Sequence, residues 1–201
     1  MLLNRFTDGP LTTKRFSKGE LIYRQDAPAR YFYEVKEGEV AIVNSNNEGK
    51  EFIQGLYKTG DCFGVASLVC KKAHTSSAIA NTPCEVYVLP KDRFFDLLKA
   101  NYDFHLSITQ IVSNQLQYKT MMLEEIAIEE GEHRLLTLIH YLMSRINPDN
   151  NALDITKQQL ADMTGLRVET VIKILKKIER QGKIATHRGQ ITCLSGKKYP
   201  L

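Results

Sequence analysis

At Pro90 the hydrophobic pattern of the chain changes its period, and that change restricts the fold more than any other feature. Before it, from Arg15 to Leu89, the segments "ELIYRQ", "YFYEVKEG", "EVAIVNS", "EFIQGLYK", "CFGVASL", "SSAIA" and "EVYVLP" are short and rich in β-branched and aromatic residues. Turn formers separate them at Lys18-Gly19, Asp26-Ala27-Pro28, Glu37-Gly38, Asn46 to Gly49, Gly60-Asp61 and Thr82-Pro83. Many short strands at this spacing predict an antiparallel, jelly-roll-like barrel. After Pro90 the apolar residues recur at helical spacing instead. An α+β chain follows, with its strands first and its helices second.

The helical half has its own divisions. "KDRFFDLLKAN" reads as a short helix, and from Tyr102 the stretch "YDFHLSITQIVSNQLQYKTMMLEEIAIEE" continues without glycine or proline. About 27 helical residues span some 40 Å, too long for one small barrel to cover. The economical partner is a second copy of the helix, in a homodimer seam built from Ile108, Val112, Leu116 and Leu123. Packing wholly within one chain is the alternative. Gly131 interrupts the run, and "EHRLLTLIHYLMSRI" forms a further helix, stopped at Asn147-Pro148-Asp149. "ALDIT" then reads as a strand, and Thr156 as an N-cap with Gln159 completing a capping box. Three parts are expected: a barrel over 1–101, a dimerisation helix over 102–128 and a smaller domain over 129–201.

Charge separates the same parts. The last 46 residues, 156–201, hold 10 Lys/Arg against 3 Asp/Glu, a balance of +7, whereas 1–155 hold 17 against 20, a balance of −3. Such asymmetry suits a polyanion, nucleic acid above all. No apolar run approaches the roughly 20 residues of a membrane span, and "MLLNRFTDGP" does not read as a signal peptide, so the expected location is the cytoplasm. The four cysteines, Cys62, Cys70, Cys84 and Cys193, form no CxxC pair. They read as ordinary buried thiols, with a Cys62–Cys70 redox pair as the alternative.

Within the basic part, "LADMTGLRVETVIKILKKIE" meets the demands of a helix-turn-helix. Ala161 is small where two helices approach, Gly165 suits a left-handed turn, and Leu160, Leu166, Val171 and Ile174 are apolar where the helices pack. The second helix begins near Arg167 and ends at Gly182. Its apolar side is Val171, Ile174, Leu175 and Ile178, and its other side presents Arg167, Glu169, Thr170, Lys173, Lys176, Lys177 and Arg180. A merely solvated basic helix is the competing reading. "KIATHRGQITCL" then reads as a two-stranded wing with His187 and Arg188 at its tip. A second helix of this kind enters the major groove with its N-terminal residues at base edges. Arg167, Val168, Glu169 and Lys173 are therefore expected at the bases, and Lys176 and the wing on the phosphates. A carboxylate accepts from cytosine N4 and a lysine donates to guanine O6 or N7, so Glu169 and Lys173 suit a half-site containing C·G.

The phrases "FSKGELIYRQ", "YFYEVKEGEVAIV" and "GDCFG", the long helix and "LDITKQQLADMTGLRVETVIKILKKIERQGKI" together resemble the cyclic-AMP receptor protein/FNR (Crp/Fnr) family of bacterial transcription regulators. The resemblance covers nearly the whole chain. It implies a cyclic-nucleotide-binding-like jelly roll, a dimerisation helix and a C-terminal winged helix-turn-helix. It also implies a homodimer on palindromic double-stranded DNA, and RNA polymerase as a further partner. Thr156, Gln158, Lys176 and His187 match positions that touch phosphate in similar regulators. The family's recognition helix shows Arg-Glu-Thr-Val-x-Arg, and here Val168, Glu169, Thr170, Val171, Ile172 and Lys173 stand in those places. Two arginines are replaced, so the half-site is expected to depart from the cyclic-AMP type.

The resemblance places an effector pocket at Phe63, Gly64, Val65, Ala66, His74, Thr75 and Gln115. Relatives that bind cyclic AMP use a glutamate where Val65 stands and an arginine-Ser/Thr pair where His74 and Thr75 stand. Valine accepts nothing from a ribose, and a histidine is mostly neutral near pH 7. "FGVASL" is similar to the cyanobacterial nitrogen-control regulators that bind 2-oxoglutarate, but their helix arginine falls near Gln115, and nothing in the spacing makes Lys71, Lys72 or Lys119 its substitute. Iron-sulfur, haem and cupin-type metal sites lack their ligands, so no metal or cofactor is expected. An enzyme on a jelly roll would need a Ser/His/Asp group, a metal set or a carboxylate pair, none of which the sequence assembles. The reading is a transcription regulator whose effector is absent or is not cyclic AMP, with a sensor of a small anion such as 2-oxoglutarate, or of a cyclic nucleotide, as the alternative.

Overall fold

The computed structural model describes residues 1–7, 9–46, 48–146, 152–187 and 189–194. They fall into two units, Met1–Gln117 and Tyr118–Leu201. In the first, α1 (Leu3–Phe6) precedes β1 (Thr13–Phe16), β2 (Leu21–Tyr23), β3 (Tyr31–Glu37), β4 (Glu39–Ser45), β5 (Glu51–Lys58), β6 (Cys62–Phe63), α2 (Val65–Val69), β7 (Ser77–Ala80) and β8 (Cys84–Pro90). The strands pair antiparallel in two four-stranded sheets, β1-β8-β3-β6 and β2-β7-β4-β5, which make the jelly roll.

Strand β3 is buried on both faces, and its period of two decides what each face meets. Tyr33 and Val35 join Val40, Ile42, Phe63, Ala78, Val86 and Val88 in one core. Phe32 joins Leu3, Val65, Leu68, Leu89 and Phe94 in a second. The helices α3 (Lys91–Ala100) and α4 (Tyr102–Ala127) follow, and Phe94 and Phe104 pack into this second core. Phe32 stacks on Phe94 at 5.0 Å and Phe6 meets Phe104 edge-on at 5.4 Å. Such ring pairs add about 0.5–1.5 kcal/mol each beyond burial.

Four sequence expectations change here. "CFGVASL" is not one strand: β6 ends at Phe63 and a helical turn begins at Val65. Gly64 causes the break, because its φ of +76° favours glycine and a Cβ there would lie 3.1 Å from the Tyr33 ring. The segment before β1, to which the sequence pattern assigned no element, holds α1. Glu34, wholly buried, accepts from the Leu3 amide at 2.8 Å and from the Leu2 amide, which seats Leu3 in the core. Burial raises the Glu34 carboxyl above its ordinary pKa, opposed by those amides and the N-terminal ammonium. Cys70 is exposed rather than buried. The buried Cys62 thiol is held well above its ordinary pKa, first by burial and then by the Glu34 carboxylate.

The fourth change concerns α4. Ile108 is only 4% exposed and Val112 packs beside it, both against their own chain's core, so these two are not on the outward face. Leu116 and Leu123, by contrast, are 63% and 67% exposed. They lie on a line of exposed positions spaced alternately four and three apart, namely Tyr102, Leu106, Thr109, Ser113, Leu116, Thr120, Leu123 and Ala127. That is heptad spacing, roughly a third of a turn round the helix from Phe104 and Ile108.

In the second unit α5 (Gly131–Ser144) buries Leu135, Leu138 and Ile139 completely. The stop at Asn147-Pro148-Asp149 lies outside the described residues. Then come β9 (Leu153–Asp154), α6 (Lys157–Thr164), α7 (Val168–Arg180), β10 (Ile184–His187) and β11 (Gln190–Cys193). The three strands form one antiparallel sheet in the order β10-β11-β9. No helix among the described residues is long and apolar enough to cross a membrane.

Candidate nucleic-acid interface

Local sequence sets both helices of the reading head. Thr156 caps α6 by a reciprocal box: its hydroxyl accepts from the Gln159 amide at 3.1 Å, and the Gln159 side chain accepts from the Thr156 amide at 2.9 Å. Such caps contribute about 1 kcal/mol. Gly165 ends α6 at φ +70°, where a β-carbon would be strained. Arg167 is the N-cap of α7, one position before the helix proper, and makes no side-chain capping bond.

Helix α7 is divided lengthwise. Val171 and Ile178 are fully buried and Leu175 nearly so, while Glu169, Lys173, Lys176 and Arg180 are exposed at positions that share the other side. Val168 and Thr170 are half-buried beside them. Among the described residues no ion pair engages Lys173 or Lys176. Lys177 is different: its ammonium lies 2.6 Å from Glu132 of α5, which raises the lysine and holds the carboxyl below its ordinary pKa. It therefore ties α7 to α5, although its side chain remains exposed. Two of the three acidic residues from 156 onward are also engaged. Asp162 accepts from Gln158 at 2.9 Å, and Glu179 accepts from the Thr186 amide at 2.8 Å, tying α7 to the wing. Glu169 is left as the exposed carboxylate on a basic face. His187 is exposed at the end of β10, and Arg188 lies outside the described residues.

Of the residues expected to line an effector pocket, Phe63 and His74 join a cluster of aromatic rings. The His74 ring, 2% exposed, stacks on Tyr23 at 3.7 Å and 11°. Tyr33 stacks on Phe63 at 5.0 Å, and Tyr23 lies 5.4 Å from Tyr33 and 6.1 Å from Phe63. Tyr57 closes on Phe63 at 6.0 Å. Burial lowers His74 and pushes Tyr33 up to about 12, so both stay neutral near pH 7. Gln115 donates to the Cys62 carbonyl at 2.9 Å, Val65 faces the second core, and Ala66 and Thr75 are exposed.

A family model described as a cyclic nucleotide-binding domain matches residues 13–101, and one described as a Crp-like helix-turn-helix domain matches 133–198. The cAMP-activated global transcriptional regulator CRP of Pasteurella multocida is 30% identical over 176 residues, covering 85% of this chain and 84% of that one. The chain belongs to the Crp/Fnr family. It is accordingly a DNA-binding transcription regulator and not an enzyme. The cAMP-activated regulator Vfr of Pseudomonas aeruginosa is 26% identical, covering 84% of this chain and 82% of that one. Among solved structures, FixK2 from Bradyrhizobium japonicum superposes with a TM-score of 0.83 at 21% identity, covering 92% and 93% of the two chains. The c-di-GMP responsive regulator CLP of Xanthomonas campestris gives 0.74 at 19%, covering 92% and 94%.

For this Crp/Fnr regulator, sequence reasoning missed the ring cluster of Tyr23, His74, Tyr33, Phe63 and Tyr57. Tyr23, Tyr33 and Tyr57 were legible as strand formers, but they stand in β2, β3 and β5, no two of which are paired, so the sequence carried no signal that their rings would meet. It missed the Lys177–Glu132 brace too, which joins residues far apart in sequence.

Proposed function

We propose that this Crp/Fnr regulator acts as a homodimer on two-fold symmetric double-stranded DNA, in the cytoplasm and beside RNA polymerase, without a small-molecule effector. One α7 enters each of two major grooves about 34 Å apart. Glu169 and Lys173 read bases, with Val168 and Arg167 beside them. Lys176, Thr156, Gln158, His187 and Arg188 hold phosphates. The exposed face of Glu169, Lys173 and Lys176, in no ion pair among the described residues, above a buried apolar stripe carries this reading. The second copy joins through the heptad line of α4, so that residues 102–128 act as the dimerisation helix between a barrel at 1–101 and a reading head at 129–201.

Independence from an effector is supported by the ring stack of Tyr23, His74, Tyr33 and Phe63. The phosphate of a nucleotide would meet a neutral histidine in place of an arginine, and its ribose a buried valine in place of a glutamate. Relatives named for activation by cAMP carry the same fold, so the reading is tested directly. DNA affinity and melting temperature of the purified protein are measured with and without millimolar cyclic AMP or 2-oxoglutarate. Neither quantity changes on this reading. A ligand present at ~100 times its Kd would stabilise the fold by ~2.7 kcal/mol, so a clear upward shift with a gain in DNA affinity overturns it in favour of an anion sensor.

A further inference from the structure

The short connection between α4 and α5, residues 128–130, is spanned by one side chain. Arg134, in the first turn of α5, donates from Nε to the Glu125 carbonyl at 3.1 Å and from Nη2 to the Ile126 and Glu129 carbonyls at 3.3 and 3.2 Å. Its Nη1 donates to the Thr164 carbonyl at 3.0 Å. The first three acceptors belong to the C-terminal end of α4 and the residues just beyond it. The fourth belongs to the last residue of α6, directly before the Gly165 turn. These four acceptors are main-chain carbonyls at or just beyond helix C-termini, where oxygens carry partial negative charge, and the Glu125 carbonyl also accepts from the Glu129 amide at 3.3 Å.

Thr164 is a fixed point. It is wholly buried, and its own hydroxyl donates back to the Leu160 carbonyl at 2.6 Å. The end of α6 therefore does not shift independently of α6, and α6 packs on α7. A guanidinium holds its five N–H groups in a rigid planar fork, so four bonds fix direction as well as distance. A lysine is a point charge with three donors and cannot span all four carbonyls.

We propose that Arg134 is a positioning residue that sets the direction of α7 relative to the seam helix α4, and thereby the spacing of DNA half-sites the dimer accepts. This rests on the reading of α7 as the helix that enters DNA. Without the fork, residues 128–130 become a hinge, and two heads that each still bind DNA no longer engage both half-sites together.

The experiment uses the full-length protein and its Arg134→Lys and Arg134→Gln variants. The probe is a duplex recovered by the wild-type protein from a randomised pool, alongside its single half-site and versions with one base pair added or removed at the centre. Simultaneous engagement is worth ~10²–10⁴ in affinity, so both variants are expected to lose at least tenfold on the full site while binding the half-site nearly as before. They are also expected to discriminate less between central spacings, which a merely stabilising residue would not affect. Half-site binding on the same preparation reports that the head is folded. Unchanged full-site affinity and spacing preference in Arg134→Lys overturns the proposal. So does an equal loss on half-site and full site, which makes Arg134 a support of the head itself. If the wild type recovers no duplex, the DNA-reading assignment fails first and the positioning role with it.

Discussion

Substitution of Leu116 separates the two faces of α4. Leu116 and Leu123 expose about two thirds of their surface, 63% and 67%, and burying a leucine fully is worth ~1.5–3 kcal/mol. Pairing with a second copy would therefore recover ~1–2 kcal/mol per leucine, and Leu116→Glu forfeits this twice per dimer, a loss of ~2–4 kcal/mol before any repulsion between the new carboxylates. Since 1.4 kcal/mol is a factor of ten, the dimer dissociation constant should rise by ~30- to ~1000-fold. Stability of the separated chain should hardly change, because the residue is exposed within it. Ile108→Ala is the counterpart: at 4% exposure it leaves a cavity in its own core and should cost ~2–5 kcal/mol of stability with no direct effect on association. Sedimentation over a concentration series, with thermal melts of the same samples, measures both. A Leu116→Glu protein that stays dimeric while Ile108→Ala dissociates would refute the assignment of faces.

Further outcomes follow from the buried polar groups and the basic face. His74 is depressed by burial, so its unfolded form takes up a proton first, and stability should fall as pH drops below the ordinary histidine value of about 6.5; melts of His74→Phe should lack that acid limb. His133 is raised by its hydrogen bond to Glu125, so its contribution has the opposite sign, present below about 6.5 and lost as pH rises through its folded pKa; its half-exposed ring makes the effect small. Glu34→Ala leaves the Leu2 and Leu3 amides without their acceptor and should lower stability by ~1–3 kcal/mol in denaturant titration. Lys176→Ala removes one phosphate contact per half-site, two per dimer, and should reduce the slope of log affinity against log salt by ~2 with base preference kept.

The legible parts of this chain were those encoded locally. The Thr156–Gln159 box, Gly165 and the three- and four-residue spacing of the apolar positions on α7 each act within one or two turns, and the reading head followed from them. The jelly roll was legible from its turn residues. "VASLV" misled because a β-branched helical turn and a buried strand look alike over five residues, and only the backbone at Gly64 decides between them. On α4 two apolar lines coexist, and pattern alone does not say which faces the barrel; burial of Ile108 and exposure of Leu123 do. Arg134 carried no signal at all, since its acceptors are main-chain carbonyls that any residue supplies. Val65 and His74 argued against a nucleotide from the sequence alone, but the stacking of His74 on Tyr23 and of Tyr33 on Phe63 needed coordinates.

Base selection by α7 tests the central claim most directly. The wild-type protein, Glu169→Ala and Lys173→Ala are each taken through selection from a randomised duplex pool at one fixed salt concentration. A two-fold symmetric site should emerge for the wild type, and each variant should relax one base position per half-site, at a cost of ~1–3 kcal/mol, while the others are kept. Identical sites from all three proteins would contradict the assignment of these residues as the ones that read DNA.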